Sequence, residues 1–377
     1  MAETIWSEAL ARRRIFLTGH TGFKGSWLLV WLSRLGCEVT GYSLTPKDQS
    51  LFVQGGLSDL AARHIIGDVR DAASLTRALH EAEPELVVHM AAQPLVRRAH
   101  LAPVDTWLTN AVGTLNVLEA IRTCRSVQAA VFVTTDKVYE NREWDWGYRE
   151  IDPLGGPEPY SASKAAAELA VQSYRNAYFR DEGPLIATAR AGNVIGGGDW
   201  SEDRIIPDAA RAAMANKPLT IRYPKATRPW QHVLDCLSGY LSLGAKLLAG
   251  SRECAAAYNF GPPVTDNVSV ADLLAHLRRH WPELRWVFDA SAGEAAGAHE
   301  ATFLYLDPSL ARRALGWRPT WALSTALAAT AEWYRTVISD SVLTREVTCK
   351  QLDRFQLSMA RTESSILRTE KLQLAGN

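Results

Sequence analysis

The chain has 377 residues, 47% of them hydrophobic and 22% charged, which suits a large nucleotide-binding domain with a smaller partner rather than one minimal domain. Lys plus Arg and Asp plus Glu number 41 each, so the formal charge is zero; nothing steers the chain toward nucleic acid or an anionic membrane, and a local basic pocket for one small anion is all that is left open. The five cysteines, Cys37, Cys124, Cys236, Cys254 and Cys349, are odd in number and scattered without a Cys-x-x-Cys pair, which argues against a disulfide framework or a zinc site and for reduced thiols in a cytoplasmic protein.

Met1 to Arg14 carries its basic cluster after its apolar residues and does not read as a signal peptide, and no later stretch is long and apolar enough to span a bilayer. From there short β-rich runs alternate with amphipathic ones. Strands are expected at Ile15–Leu17, Glu38–Tyr42, His64–Ile66, Leu86–His89, Ala130–Thr134 and Leu185–Ala189. Between them helices are expected at Gly25–Leu35, Ala72–Glu81, Val104–Cys124 and Ala162–Phe179, the crossovers that parallel strands demand. The pattern predicts an α/β chain: a Rossmann-type doubly wound parallel sheet over residues 1–190, with segments at about 230–260 returning to it. After Arg190 prolines such as Pro207, Pro218, Pro224 and Pro229 break the pattern into loops and short elements, which reads as a smaller mixed α/β domain over 191–340. Residues 341–377 read as a helical tail.

Directly after the first strand stands Thr18-Gly19-His20-Thr21-Gly22-Phe23-Lys24-Gly25, followed by an apolar helix. Glycines at this spacing let the backbone turn tightly, approach a pyrophosphate and pack helix on strand, while the helix N-terminus offers N–H groups to phosphate. Gly19, Thr21, Gly22, Phe23 and Lys24 are therefore candidate dinucleotide contacts. Two later strand ends extend the site. In Gly67-Asp68-Val69-Arg70, Asp68 can accept from an adenine amino group, with Val69 beside it; in Met90-Ala91-Ala92-Gln93, Ala91 and Ala92 let a cofactor pass close to the backbone and Gln93 follows. Asn110, in the next helical stretch, is counted with them. The second strand ends in Gly41-Tyr42-Ser43-Leu44, with neither an acid for ribose hydroxyls nor an Arg for an extra phosphate, and Lys47 lies several residues on; NAD is the favoured cofactor.

Two segments carry the chemistry. Thr134-Thr135-Asp136-Lys137-Val138-Tyr139 ends the fifth strand, and Tyr160-Ser161-Ala162-Ser163-Lys164 opens a helix. Tyr160 and Lys164 share one helix face, where an ammonium can lower a tyrosine pKa toward working pH, so that the pair removes a hydroxyl proton as a hydride leaves the same carbon.

The glycine loop, the Tyr-x-x-x-Lys pair and the Thr135 position together resemble the extended short-chain dehydrogenases that act on sugar nucleotides, over roughly residues 12 to 335. Thr135-Asp136-Lys137 resembles the 4,6-dehydratases among them, which follow this Thr with Asp and usually Glu; the Lys departs from that pattern and is similar to the branch acting on CDP-glucose. Gly22-Phe23-Lys24-Gly25-Ser26-Trp27, Gln93-Pro94-Leu95-Val96-Arg97, the stretch from Glu143 to Tyr148 and Arg190-Ala191-Gly192-Asn193-Val194-Ile195-Gly196-Gly197-Gly198-Asp199-Trp200 resemble that branch too. The resemblance implies oxidation of the glucose unit at C4, loss of water across C5 and C6, and hydride return to C6. Asp136 would then be the general acid that protonates the departing hydroxyl, and Lys137 either the C5 base or an electrostatic partner of the enolate.

On the substrate side the resemblance places Asn193 against the diphosphate or sugar, and Arg204 and Arg228 in segments that supply phosphate contacts. Trp144, Trp146, Trp200 and Trp230 fall in stretches associated with the pocket, and His232 reads as a hydrogen-bonded structural histidine. The family also implies a homodimer or higher homo-oligomer, with Val104–Cys124 and Ala162–Phe179 as the candidate subunit interface. Two alternatives stay open: the same dehydration on GDP-mannose or a dTDP- or UDP-sugar, and a catalytically silent dinucleotide-binding protein.

Overall fold

The computed structural model describes residues 6–289 and 303–375. Residues 1–5, where the N-terminal segment weighed as a leader begins, 290–302 of the expected smaller domain and 376–377 of the expected tail lie outside the described residues.

Seven strands form one sheet: β1 (Arg14–Thr18), β2 (Glu38–Ser43), β3 (Arg63–Ile66), β4 (Leu86–His89), β5 (Ala129–Val133), β6 (Leu185–Ala191) and β7 (Ala257–Phe260). Their order is β7-β6-β5-β4-β1-β2-β3, and every pair is parallel. Ile15 stands between Val39 and Leu86 in the register. The chain runs outward from β1 to β3, crosses back to β4 and runs outward again. The connections after β1 and β4 therefore leave in opposite directions, and the crevice between them at the strand C-termini is where such sheets take ligands.

Seven helices matter to the site and its support: α1 (Phe23–Arg34), α2 (Ala72–Ala82), α3 (Gly113–Thr123), α4 (Pro159–Ala177), α5 (Val233–Leu248), α6 (Leu323–Ser339) and α7 (Thr344–Ala375). Side chains along a strand alternate between faces, and each face has its own helical cover. Ala129, Val131 and Val133 join the core under α1, α5, α6 and α7, while Ala130 and Phe132 join the core under α2, α3 and α4. Burial on both faces is why these strands read as nearly continuous apolar runs.

Three helices depart from expectation. α1 starts at Phe23, two residues before Gly25, because Gly22 in an extended conformation serves as its N-cap. α4 starts at Pro159 rather than Ala162: the Glu158 carboxylate accepts from the backbone N–H groups of Tyr160 and Ser161 at 2.7 and 2.8 Å, and Pro159 fills the first helical position. The expected single helix Val104–Cys124 is a short helix at Pro103–Trp107, a π-turn at Leu108–Val112 and then α3.

Beyond β6 the strands are short and form two-stranded ladders, Val194–Ile195 with Gln231–His232, Thr227–Pro229 with Asn267–Ser269, and Leu219–Ile221 with Trp286–Phe288. α7 is fastened to α6 and α1 by Trp333 Nε1 donating to Thr348 Oγ1 at 2.9 Å and by Trp31 and Phe355 in edge-to-face contact. Among the described residues no helix is long and apolar enough to cross a membrane.

Candidate active site

The C-terminal ends of the central strands open on a cavity of about 1060 Å³, and every site residue expected from the sequence lines it except Asn110. That volume is at the upper limit of the roughly 300–1,000 Å³ that a single small ligand occupies.

The glycine loop forms its floor. Gly19 has φ +76°, and a Cβ there would stand 2.8 Å from the Ala91 nitrogen; a Cβ on Gly25 would stand 2.1 Å from the Gly19 carbonyl oxygen. The loop thus lies against the turn after β4 as closely as backbone allows, and α1 points its N-terminus into the cavity. Thr21 Oγ1 and Ser43 Oγ are 2.7 Å apart, tying the loop to the end of β2. At the end of β3, Asp68 is held by Arg70 through its backbone N–H and guanidinium, at 2.6 to 2.9 Å, which pulls the carboxyl below its ordinary value. A cradle that any Cβ would fill, a helix N-terminus and an acid at the third strand end fit a dinucleotide.

Asn110 has another post. The π-turn directs it inward, where Oδ1 accepts from the Gln93 N–H at 2.9 Å and Nδ2 donates to the Gln93 carbonyl and to Ser163 Oγ at 3.1 and 3.0 Å. Ser163 Oγ in turn donates to the Tyr160 carbonyl at 2.7 Å. Asn110 braces the cavity wall and α4 from behind.

The catalytic segments meet across the cavity. Thr135 Oγ1 donates to Asp136 Oδ1 at 2.9 Å, and Tyr160 lines the same cavity. Asp136 is buried, and its other oxygen, Oδ2, has no hydrogen-bond partner. Burial raises its carboxyl above the ordinary value, against the charges of Lys137, Arg228 and Lys24 and the Thr135 hydrogen bond. Gly192 keeps the space beside it clear: a Cβ there would stand 2.7 Å from Pro229 Cγ and 3.1 Å from Asp136 Oδ2. Lys137 is half-buried on the cavity wall.

The expectation that Lys164 draws the Tyr160 phenol down is not met by the groups as placed. Burial pushes Tyr160 up to about 12, with the Thr135 side chain and the Arg204 charge as the main counterweights. Lys164 Nζ instead donates to the Val133 carbonyl at 3.0 Å. The group drawn toward neutral pH is Lys164 itself, lowered to about 8 by burial and by the charge of Lys24. Lys24 reaches over from the first turn of α1, its Nζ 3.5 Å from the Tyr240 hydroxyl.

On the far wall Arg204 pairs with the buried Asp199 at 3.0 Å, so its guanidinium already has a carboxylate. Arg228 is buried and donates to the Thr227 carbonyl at 2.7 Å. Of the four tryptophans in pocket-associated stretches, Trp200 and Trp230 line the cavity; Trp144 and Trp146 lie against each other at 5.0 Å outside it. His232 caps α5, its Nδ1 accepting from the Leu234 N–H at 3.3 Å, and it is fully buried beside Trp27 and Trp321. Sequence reasoning missed Asp203, which bridges Arg97 at 2.9 Å and Arg222 at 3.3 Å on the cavity wall; one residue of a short helix and two of separate loops leave no spacing that would disclose them.

A CDP-glucose 4,6-dehydratase of Salmonella typhimurium is 44% identical over 330 residues, covering 86% of this chain and 90% of that protein. A dTDP-glucose 4,6-dehydratase of Xanthomonas campestris is 30% identical over 348 residues, covering 85% and 92%. Among solved structures, a dTDP-glucose 4,6-dehydratase from Streptomyces venezuelae with NAD bound aligns at a TM-score of 0.71 and 26% identity, covering 86% of this chain and 97% of that one. The model of the NAD dependent epimerase/dehydratase family matches residues 15–261, from the first strand through the last strand of the sheet, and the chain belongs to that family.

Proposed function

We propose that the chain dehydrates CDP-D-glucose to CDP-4-keto-6-deoxy-D-glucose. The observation that carries the reading is the buried Thr135–Asp136 pair opposite Tyr160, with Asp136 holding an unpartnered oxygen and a raised carboxyl pKa. A carboxyl whose pKa burial raises beside a sugar site is suited to protonate a leaving hydroxyl. The 44% identity to a CDP-glucose 4,6-dehydratase supports the substrate.

NAD, when bound, supplies the hydride acceptor for C4 and the same hydride for C6. Gly19, Thr21, Gly22, Phe23 and Lys24 would hold it at the glycine loop, and Asp68, Val69, Ala91, Ala92 and Gln93 at the strand ends beyond, all of which line the cavity. Tyr160 takes the C4 hydroxyl proton as the ketone forms. The C5 proton, now beside a ketone, is acidic, and Lys137 stands on the wall to take it or to balance the enolate charge. Asp136 gives its proton to the C6 hydroxyl, which leaves as water. Once hydride has returned to C6, a proton returns to C5, so the net change is loss of one water. Asn193, Arg204 and Arg228 hold the diphosphate and sugar, Arg204 while keeping its bond to Asp199. Five free cysteines suit a reducing compartment, and we place the protein in the cytoplasm, as a homodimer.

The test is incubation with NAD in heavy water, separately with CDP-glucose, dTDP-glucose, UDP-glucose and GDP-mannose. Mass spectrometry is expected to find loss of one water from CDP-glucose alone, and NMR to find deuterium at C5. Turnover of a different nucleotide sugar would keep the chemistry and replace the substrate; NAD binding without turnover of any would leave the dinucleotide-binding reading.

A further inference from the structure

Tyr160 and Lys164 occupy successive turns of one face of α4, and the next turn of that face carries Glu168. Glu168 is 3% exposed, an unusual place for a carboxylate unless it is fully bonded. Here both oxygens are bonded. Oε1 accepts from Thr134 Oγ1 at 2.5 Å, and Oε2 accepts from Thr188 Oγ1 at 2.7 Å and pairs with Arg190 at 2.8 Å. Arg190, equally buried, donates to the Tyr139 hydroxyl at 2.7 Å, and that hydroxyl donates to Asn259 Oδ1 at 2.7 Å. The network joins α4 to β6, to β7 and to both flanks of the Thr135–Asp136–Lys137 segment, Thr134 before it and Tyr139 after it.

We propose that Glu168 is a positioning residue for the dehydration: it fixes the Thr135–Asp136–Lys137 segment through Thr134 and presents to Lys164 the one negative charge on their shared helix face. This rests on the function proposed above.

As a brace alone a buried ion pair gains little, because the cost of removing both charges from water is scarcely offset by their attraction. The pair's place explains its use. The charged and titratable groups around Lys164 are Lys24 from α1, His89 from β4, and Tyr160 and Glu168 from α4. Around Glu168 stand Arg190 from β6 and Arg175 from α4. Lys24 and burial pull Lys164 down, to about 8, and Glu168 is what resists them. Without that charge the ammonium would lose its proton closer to neutral pH, and its bond to the Val133 carbonyl, at the end of β5 just before the catalytic segment, would lose its charge.

The experiment compares holoenzyme prepared with NAD as wild type, Glu168→Gln, Glu168→Asp, the double variant Glu168→Gln/Arg190→Leu and Thr134→Val. Two readouts are followed: the pH profile of CDP-glucose turnover, and the titration of Lys164 by NMR of protein carrying 13Cε-lysine, its signal identified by its absence from Lys164→Met. Glu168→Gln is expected to move both the alkaline limb and the Lys164 titration about one pH unit lower, and Glu168→Asp to restore most of the shift. Thr134→Val, which keeps every charge, is expected to cut turnover several-fold without moving the titration. The double variant removes the pair together and so leaves no buried charge unpaired; it is expected to leave the titration near that of wild type, and Thr134→Val carries the positioning test if Glu168→Gln does not fold. An unmoved Lys164 titration in folded Glu168→Gln would overturn the electrostatic part, and unchanged turnover in Thr134→Val would overturn the positioning part. The NMR titration needs no substrate, so a failure to dehydrate CDP-glucose would sink the proposed function while the effect of Glu168 on Lys164 is still read directly.

Discussion

Asp136 is the residue on which the chemistry turns, and its surroundings say which step it serves. Four groups favour its ionised form, the charges of Lys137, Arg228 and Lys24 and the hydrogen bond from Thr135, and burial still outweighs them. A carboxyl raised in this way holds its proton more tightly than a solvated one, which supports the role proposed for it above, in departure of the C6 hydroxyl rather than in oxidation at C4. Asp136→Asn keeps the shape and the bond from Thr135 and removes only the proton. The variant is expected to reduce NAD on adding CDP-glucose while releasing product about 10²–10⁴ times more slowly, the usual contribution of a general acid. Stopped-flow absorbance of the reduced nicotinamide beside mass spectrometry of the sugar separates the two steps, and equal slowing of both would count against the assignment. Tyr160 and Lys164 could be picked out in the sequence because four residues is one helical turn. Asp136 could be placed by its resemblance to a dehydratase segment, and its burial could not. Nor could the Val133 carbonyl be foreseen as the partner of Lys164 Nζ, since side-chain spacing says nothing about which backbone oxygen lies across the helix–strand gap.

Among the elements, the glycine loop makes the sharpest demand. Gly19 combines a left-handed backbone with contact against Ala91, whereas Gly56, at φ +57°, has a left-handed backbone and open space. The two separate conformational strain from close approach. Gly56→Ala is expected to lose about 1–2 kcal/mol of stability with NAD affinity intact. Gly19→Ala adds a 2.8 Å approach to the Ala91 nitrogen and is expected to weaken NAD binding at least tenfold, as read by calorimetric titration. Equal NAD affinity in both variants would mean that the loop can yield. The six expected strands all appear, because strands buried on both faces are written as short apolar runs and the glycine turns punctuate them. The seventh, β7, was foreseen only as a segment returning to the sheet. The helix ends were less legible: α1 has no side-chain cap to mark Gly22, and α4 is capped by a Glu, outside the Ser, Thr, Asp and Asn set that signals a start. The π-turn left no trace in the apolar spacing, yet it is what turns Asn110 from the cavity to the brace behind it. Past β6 the ladders are two or three residues long, too short for any period to register.

At the scale of the whole molecule, we propose that residues 1–190 with about 230–260 form the nucleotide-binding part, 191–340 mainly the sugar-nucleotide part and 341–377 the tail. The outer surface of the nucleotide-binding part poses a different problem. Leu101, Val104, Leu108, Val112 and Leu115 follow one another at intervals of three, four, four and three residues and are all exposed, Leu101 by 87% and Val104 by 69%. Leu169 and Tyr178, on and just past the adjoining α4, are exposed by 55% each. A single exposed apolar side chain is ordinary; a stripe at helical period, on the face opposite the one that packs on the sheet, marks a surface meant to be covered. We propose a second copy of this chain as the occupant, because two such helix pairs related by a twofold axis would bury identical faces against one another. Val104→Glu tests this with little effect on the monomer, since a substitution at so exposed a position alters stability by only about 0.5 kcal/mol. Wild type is expected to sediment at twice the chain mass, and Val104→Glu at the chain mass with an unchanged circular dichroism spectrum. Wild type sedimenting as a monomer at micromolar concentration would refute the pairing, and a dimeric Val104→Glu would move it to another face. The inner side of the same helical run carries Asn110 and its bonds to Gln93 and Ser163. The exposed stripe and the cavity wall are therefore two sides of one π-turn, and a monomeric variant that also binds NAD more weakly would show that the wall depends on a partner for its stiffness.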